Sequence, residues 1–63
     1  MNIKTVHVVT DLDHQVQLLQ VGKDNFTVVY GLQVKRQLSY KEAALEYGAC
    51  IMHSATCAGK LSN

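Results

Sequence analysis

The 63-residue sequence predicts an α+β fold, a three-stranded antiparallel meander followed by one long C-terminal helix on one face of the sheet. Three observations predict it. β-Branched residues dominate the first segment, strict apolar alternation marks a later one, and the last third carries a helix start and stop signal. We expect strands at residues 3–10, 15–21 and 26–34 and a helix at 40–58, all in one small domain, 1–63.

The first predicted strand is identified by its composition and the second by the turn that follows it. Residues 3–10 are rich in Ile, Val and Thr, whose stiff side chains suit a pleated surface. The second strand is placed at 15–21, because residues 22–25 make a compact turn into the next strand and short hairpin loops are common.

The second segment has an alternative interpretation as a short helix. Leu12, Val16 and Leu19 fit the spacing of one helix face. Asp11 would then cap the helix and Gly22 would end it. We prefer the strand, and the sequence alone leaves both interpretations open.

The third predicted strand has the clearest pattern. Its large apolar side chains alternate with smaller or more polar ones; they are Phe26, Val28, Tyr30, Leu32 and Val34. Such alternation predicts one continuous apolar face. Gly31 inside the strand predicts a bulge or a close backbone neighbour, and Gly48 on the helix is the candidate for that neighbour.

Signals at both ends predict the helix. Ser39, followed three residues later by Glu42, has the spacing of a capping box, in which each residue bonds a backbone N–H of the other. Gly59 can adopt the left-handed conformation that closes a helix, and Lys60 places a positive charge near the negative end of the helix dipole. We expect one uninterrupted helix between them.

Apolar residues cover an arc of this helix that is wider than one sheet-facing stripe. The stripe expected to face the core contains Tyr40, Ala44, Tyr47, Ile51, Ala55 and Ala58. A second group lies beside it and consists of Leu45, Gly48, Ala49 and Met52. Because the helix has more apolar surface than its own sheet needs, we predict that this second group is a dimer interface.

The length of the chain also predicts association. A domain of this size buries only about 60% of the surface that its unfolded chain exposes, and such domains are usually stabilised by disulfides, a metal or oligomerisation. Cys50 and Cys57 stand seven residues apart on the helix, roughly 10 Å between Cα atoms, which is too far for a disulfide. Free thiols suit a reducing compartment, so we expect a homodimer.

Charge and hydropathy exclude several classes of protein. The formal net charge is +1, which creates no long-range field for nucleic acid or an acidic membrane. The start of the chain has no signal-peptide core, and the apolar run at 43–58 carries Glu46 and His53 and is too short to span a bilayer. We expect a soluble, cytoplasmic protein.

One cluster could carry metal or thiol chemistry. Cys50, His53 and Cys57 project from one side of the helix, and His7 or His14 could supply a fourth ligand. We expect instead two partly buried thiols beside a surface histidine, with no metal and no cofactor. A Cys50–His53 nucleophile pair would also need oxyanion donors and a closed pocket, so we do not expect an enzyme.

Positive charge gathers where the last predicted strand meets the helix. Lys35, Arg36 and Lys41 lie there, and cations near a helix N-terminus oppose its dipole. A carboxylate or phosphate of a partner would relieve that opposition. Together with Leu12, if it lies in a loop, these residues are the predicted partner-binding residues.

The leading hypothesis is a small non-enzymatic interaction module, a homodimeric accessory or inhibitor-type regulator of another macromolecule. Stand-alone chains of this length are typical of such proteins in phage and mobile elements. One alternative is a nucleic-acid-binding transcriptional regulator; its phosphate contacts would be Lys4, Lys23, Lys35, Arg36 and Lys41. The other alternative is a thiol- or metal-sensing module built on the cysteine cluster.

Overall fold

A computed structural model describes residues 3–61 and has an antiparallel sheet with one helix packed on it. The elements are β1 (Lys4–Val9), β2 (Val16–Gly22), β3 (Asn25–Tyr30), β4 (Gln33–Leu38) and α1 (Tyr40–Cys57). The strands lie in the order β1-β2-β3-β4, so each pairs with its sequence neighbours. The α+β class, the antiparallel sheet and the C-terminal helix are confirmed, but the predicted number of strands is wrong.

The fourth strand arises because the segment predicted as one strand at 26–34 contains a hairpin turn. Gly31 has φ +59°, and Leu32 is completely exposed at the tip between β3 and β4. Positive φ at the first residue of a two-residue loop is the arrangement of a type II′ turn, which favours glycine there. The apolar Leu32 happens to continue the alternation through the turn, which made two short strands look like one.

The turn also changes the face on which Val34 lies. Residues directly opposite each other in an antiparallel pair share a face, and Val34 lies opposite Val29. Val34 therefore points away from the face of Val28 and Tyr30, contrary to the alternation read from the sequence. Lys35, opposite Val28, takes the place on the helix-covered face.

The preferred interpretation of the second segment agrees with the structure. β2 pairs with β1 through Val9 opposite Val16 and with β3 through Val16 opposite Tyr30. It is thus a central strand with hydrogen-bonded neighbours on both sides. A residue in that position is covered by both neighbours, and Val16 is fully buried.

The core lies between α1 and one face of the sheet. Val16 and Val28 from the sheet meet Ala43, Ser54 and Ala55 from the helix. The buried Ser54 hydroxyl accepts a hydrogen bond from the His14 backbone N–H at 2.9 Å and donates one to the His14 carbonyl at 3.2 Å. Satisfying both groups allows a polar side chain at the centre of the helix–sheet contact.

The face that α1 turns to the sheet agrees only in part with the predicted stripe, of which Ala55 is buried. Tyr47 and Ile51 are half-buried, whereas Tyr40 and Ala44 are exposed. The helix is rotated so that Ser54 points inward, because its hydroxyl pairs with the loop between β1 and β2. Apolar spacing alone could not reveal this pairing.

Both predicted ends of α1 are confirmed. The Glu42 N–H donates to the Ser39 hydroxyl at 3.2 Å, and the Ser39 N–H donates to the Glu42 carboxylate at 3.0 Å. These hydrogen bonds favour the ionised form and lower the pKa of Glu42. At the other end Ala58 is the C-cap and Gly59 has φ +72°. No helix within residues 3–61 is both long enough and apolar enough to cross a bilayer.

Both edge strands contain a bulge. In β1 the extra residue is Val6, and in β4 Arg36 and Gln37 together lie opposite Thr27. Gln37 has φ +60°, a conformation that residues other than glycine rarely adopt. Bulges bend an edge strand and, together with lysines, discourage pairing with the edge of another sheet.

Candidate interaction surfaces

The face of the sheet opposite α1 is open and forms a groove of about 590 Å³, called the sheet groove below. Residues of β2, β3 and β4, together with the residue that precedes β1, line it. They are Ile3, Leu19, Val21, Asn25, Thr27, Val29, Val34, Arg36 and Gln37.

The sheet groove is more apolar than a water-facing sheet requires. Ile3 is 64% exposed and Val34 is 48% exposed, and Leu19, Val21 and Val29 are partly exposed between them. In antiparallel sheets covered on one side, the other side normally carries polar residues. The row of exposed and partly exposed aliphatic side chains makes this groove a candidate interaction surface.

One end of the sheet groove is polar. Among the described residues that line it, Arg36 is the one that carries a charge. Within residues 3–61 Lys35 pairs with Glu46, and the Asp13 carboxylate lies 2.7 Å from His14 Nδ1, so Arg36 belongs to neither contact. The groove can therefore accept an apolar surface that brings one negative charge to this end.

A second apolar surface lies on the outside of α1 and consists of the four residues for which a dimer interface is predicted. Leu45 and Met52, 66% and 56% exposed, line up with exposed Ala49 and Gly48; these four residues are called the helix stripe below. A Cβ added to Gly48 would meet no atom within 4 Å. The expected contact between Gly48 and Gly31 is therefore wrong within one protomer.

The predicted partner-binding residues are spread over the molecule. Lys35 lies on the helix side, where its ammonium donates to the Glu46 carboxylate at 2.6 Å, and this hydrogen bond raises the pKa of Lys35. Arg36 lines the sheet groove, and Lys41 is exposed on the first turn of α1. Leu12 is half-buried in the loop between β1 and β2. The three cations therefore face different directions.

The structure separates the predicted cysteine cluster. Cys50 is half-buried, and burial, with the nearby Glu46 charge, raises the pKa of its thiol. Cys57 is exposed, and its Sγ lies 3.8 Å from His53 Nε2. Among residues 3–61 no three His, Cys, Asp or Glu side chains converge on a common metal position.

The histidines pack against tyrosines. His14 and His53 both lie edge-to-face with the Tyr30 ring, with centroids 5.3 and 6.0 Å away. His7 Nδ1 is 2.5 Å from the Tyr47 hydroxyl and connects β1 with α1. These contacts give all three histidines a place in the packing of the helix on the sheet.

The sequence reasoning missed the sheet groove. Its signal was the pair of adjacent aliphatic residues in each central strand, Leu18-Leu19 and Val28-Val29, which places apolar side chains on both faces of the sheet. Comparisons of the chain with models of protein families, with curated proteins and with solved structures found no match. A proposal about function therefore rests on these surfaces.

Proposed function

We propose that this chain is a non-enzymatic interaction module that forms a homodimer and binds another macromolecule. The observation that supports the proposal is the exposure of aliphatic side chains on both outer sides of a two-layer protomer. Within residues 3–61, no other part of the chain covers the sheet groove or the helix stripe. One surface can join two copies while another remains available to a different partner.

The size of the hydrophobic effect supports association. Full burial of one Leu, Ile, Val or Met side chain contributes about 1.5–3 kcal/mol, and a small domain has little other stability to draw on. Both edges of the sheet carry a bulge, so pairing of strands between copies is disfavoured. We therefore expect copies to associate through the sheet groove or the helix stripe and not through the edges of the sheet.

Sedimentation velocity over a wide range of protein concentration tests the proposal. We expect the 7.0 kDa chain to sediment as a larger species as concentration rises. Leu45→Glu or Met52→Glu should reduce association and leave the circular dichroism spectrum unchanged, because both side chains are exposed. Gln33→Glu, on an exposed polar position of β4, controls for the added charge. A wild-type chain that stays a single 7.0 kDa species at millimolar concentration contradicts the proposal.

A thiol- or metal-sensing module is a second candidate, and the contact between Cys57 and His53 favours it. Two ligands of one tetrahedral zinc ion, at about 2.3 Å for sulfur and about 2.1 Å for nitrogen, stand about 3.6 Å apart. The observed separation of 3.8 Å is close to that value. The pair would supply two ligands, leaving the other positions to water or to another molecule.

Titration with Co²⁺ under reducing conditions tests this second candidate. A thiolate–imidazole site should give a sulfur-to-metal charge-transfer band, which Cys57→Ser and His53→Ala should each abolish. Cys50→Ser is the matched control, because the thiol that contacts His53 is that of Cys57, so the band should remain intact. If wild type and Cys57→Ser give the same spectrum, this candidate fails.

A further inference from the structure

Cys57 and His53 form an exposed pair near the C-terminal end of α1. They stand four residues apart on one side of the helix, and Cys57 Sγ lies 3.8 Å from His53 Nε2. The ring of Tyr30 in β3 packs against the His53 ring, with centroids 6.0 Å apart and the two planes nearly perpendicular. The sheet therefore helps to hold the imidazole nitrogen beside the thiol.

One copy of the chain supplies only part of a metal site. A structural zinc site is tetrahedral and holds four protein ligands. Within residues 3–61 no group of three His, Cys, Asp or Glu side chains can hold a metal ion, so this part of the chain adds no third ligand of these types to the pair. Two copies supply two thiolates and two imidazoles, and the two thiolates neutralise the charge of one Zn²⁺ ion.

An exposed apolar side chain lies close to the pair. Leu32, at the tip between β3 and β4, is completely exposed and lines the same open cavity of about 620 Å³ as His53 and Tyr30. A second copy that brings its own ligands to His53 would therefore also cover Leu32. Removing this side chain from water favours a protein surface over water molecules as the source of the missing ligands.

We propose that one zinc ion joins two copies of this chain through Cys57 and His53 of each copy. The proposal rests on the metal-binding module given above as the second candidate, and it names the partner that completes the site. A two-fold axis through the ion gives both copies the same ligands, so the contact joins identical patches and closes as a dimer. Each thiol releases its proton to solvent on binding, because the thiolate is the form that binds the metal.

The zinc contact is separate from the helix stripe. At 3.6 residues per turn, Cys57 and Leu45 lie about 120° apart around α1. Association through the helix stripe therefore needs no metal, and the zinc contact does not need the helix stripe. The two contacts can be tested independently.

Sedimentation velocity with and without zinc tests the proposal. The protein carries Leu45→Glu, which weakens association through the helix stripe, and a phosphine keeps it reduced because thiol reductants compete for zinc. One zinc ion per two chains should double the mass of the 7.0 kDa monomer, and EDTA should reverse the change. Cys57→Ser and His53→Ala should each abolish the zinc-dependent dimer, whereas Cys50→Ser should keep it. Circular dichroism verifies that each variant is folded.

The stoichiometry of Co²⁺ binding separates this proposal from the second candidate itself. A site shared by two copies should saturate at one ion per two chains. Saturation at one ion per chain, with the protein still monomeric, would overturn the shared site and leave the two-ligand site standing. If Cys57→Ser changes neither the Co²⁺ spectrum nor the effect of zinc on mass, both the shared site and the second candidate fail.

Discussion

The two faces of the sheet have similar side chains and different surroundings. Val28 and Val29 are neighbours in β3 and point to opposite faces. Val28 is fully buried beneath α1, whereas Val29 remains partly exposed in the sheet groove. The two residues have the same chemistry, so what differs is whether another element lies over them. Apolar residues in a strand therefore predict that their face of the strand is buried. They do not identify the element or molecule that buries it.

The difference assigns separate roles to the two faces. Burial on the helix side stabilises the single chain, because those side chains leave water when α1 packs on the sheet. The open side contributes little to that stability and is available for association. Substitutions matched across the two faces should separate folding from association.

The largest effect is expected at the covered face. Val28→Asp should unfold the chain, because an unpaired carboxylate would be buried in a core whose total stability is small. The matched substitution Val34→Asp, in the open groove, should change the free energy of unfolding by less than about 1 kcal/mol. Thermal unfolding followed by circular dichroism measures both. Equal losses at the two positions would show that the open face supports the fold of the single chain.

A smaller effect is expected where α1 is fastened to the loop between β1 and β2. Ser54→Ala removes the buried hydroxyl that pairs with both backbone groups of His14 and leaves these part-buried groups without that partner. The expected loss is about 1–3 kcal/mol in the free energy of unfolding, measured by urea denaturation. Thr56→Ala is the control, because that exposed hydroxyl bonds only the Met52 carbonyl within its own helix. A Ser54 variant no less stable than this control would contradict the pairing.

Alanine substitutions at two glycines compare the stability effect of a new Cβ at an open site with its effect at a crowded site. Gly48→Ala should stabilise the single chain by about 1 kcal/mol, because alanine is the better helix former and its Cβ meets nothing within 4 Å. Gly31→Ala should destabilise it, since φ is +59° and the new Cβ would stand 3.0 Å from the His14 ring. Chemical denaturation at low protein concentration measures the single chain. A destabilising Gly48→Ala would mean that this part of α1 is already covered.

The smallest effect is expected at the exposed start of α1. The folded-state pKa of Glu42 is lowered, so between it and the unfolded value the unfolded chain binds more protons. Its contribution is therefore present above the ordinary carboxyl range and is lost as pH falls through the folded-state pKa. Glu42→Gln should lower the melting temperature slightly at pH 7 and not at strongly acidic pH. If Glu42→Gln still lowers the melting temperature at strongly acidic pH, the effect comes from lost packing and not from the lost carboxylate charge.

Local chemistry made α1 predictable. Ser39 and Glu42 bond each other's backbone within one turn, and Gly59 takes the left-handed conformation that its neighbours would resist. The helix stripe was also predictable, because an apolar arc wider than one contact can be counted from spacing alone. The end of β3 was not predictable from the sequence, because Leu32 continued the apolar alternation although the chain turns at Gly31.

The sequence by itself determined the α+β class, the limits of α1 and the excess of apolar surface on it. Only the tertiary structure decided that the chain has four strands, that Ser54 faces the core and that the sheet groove lies uncovered. The physical reason is the separation along the sequence of the residues that each interaction joins. Caps and helical spacing act between residues a few positions apart, whereas strand pairing and cover join residues such as His14 and Ser54 that are forty positions apart.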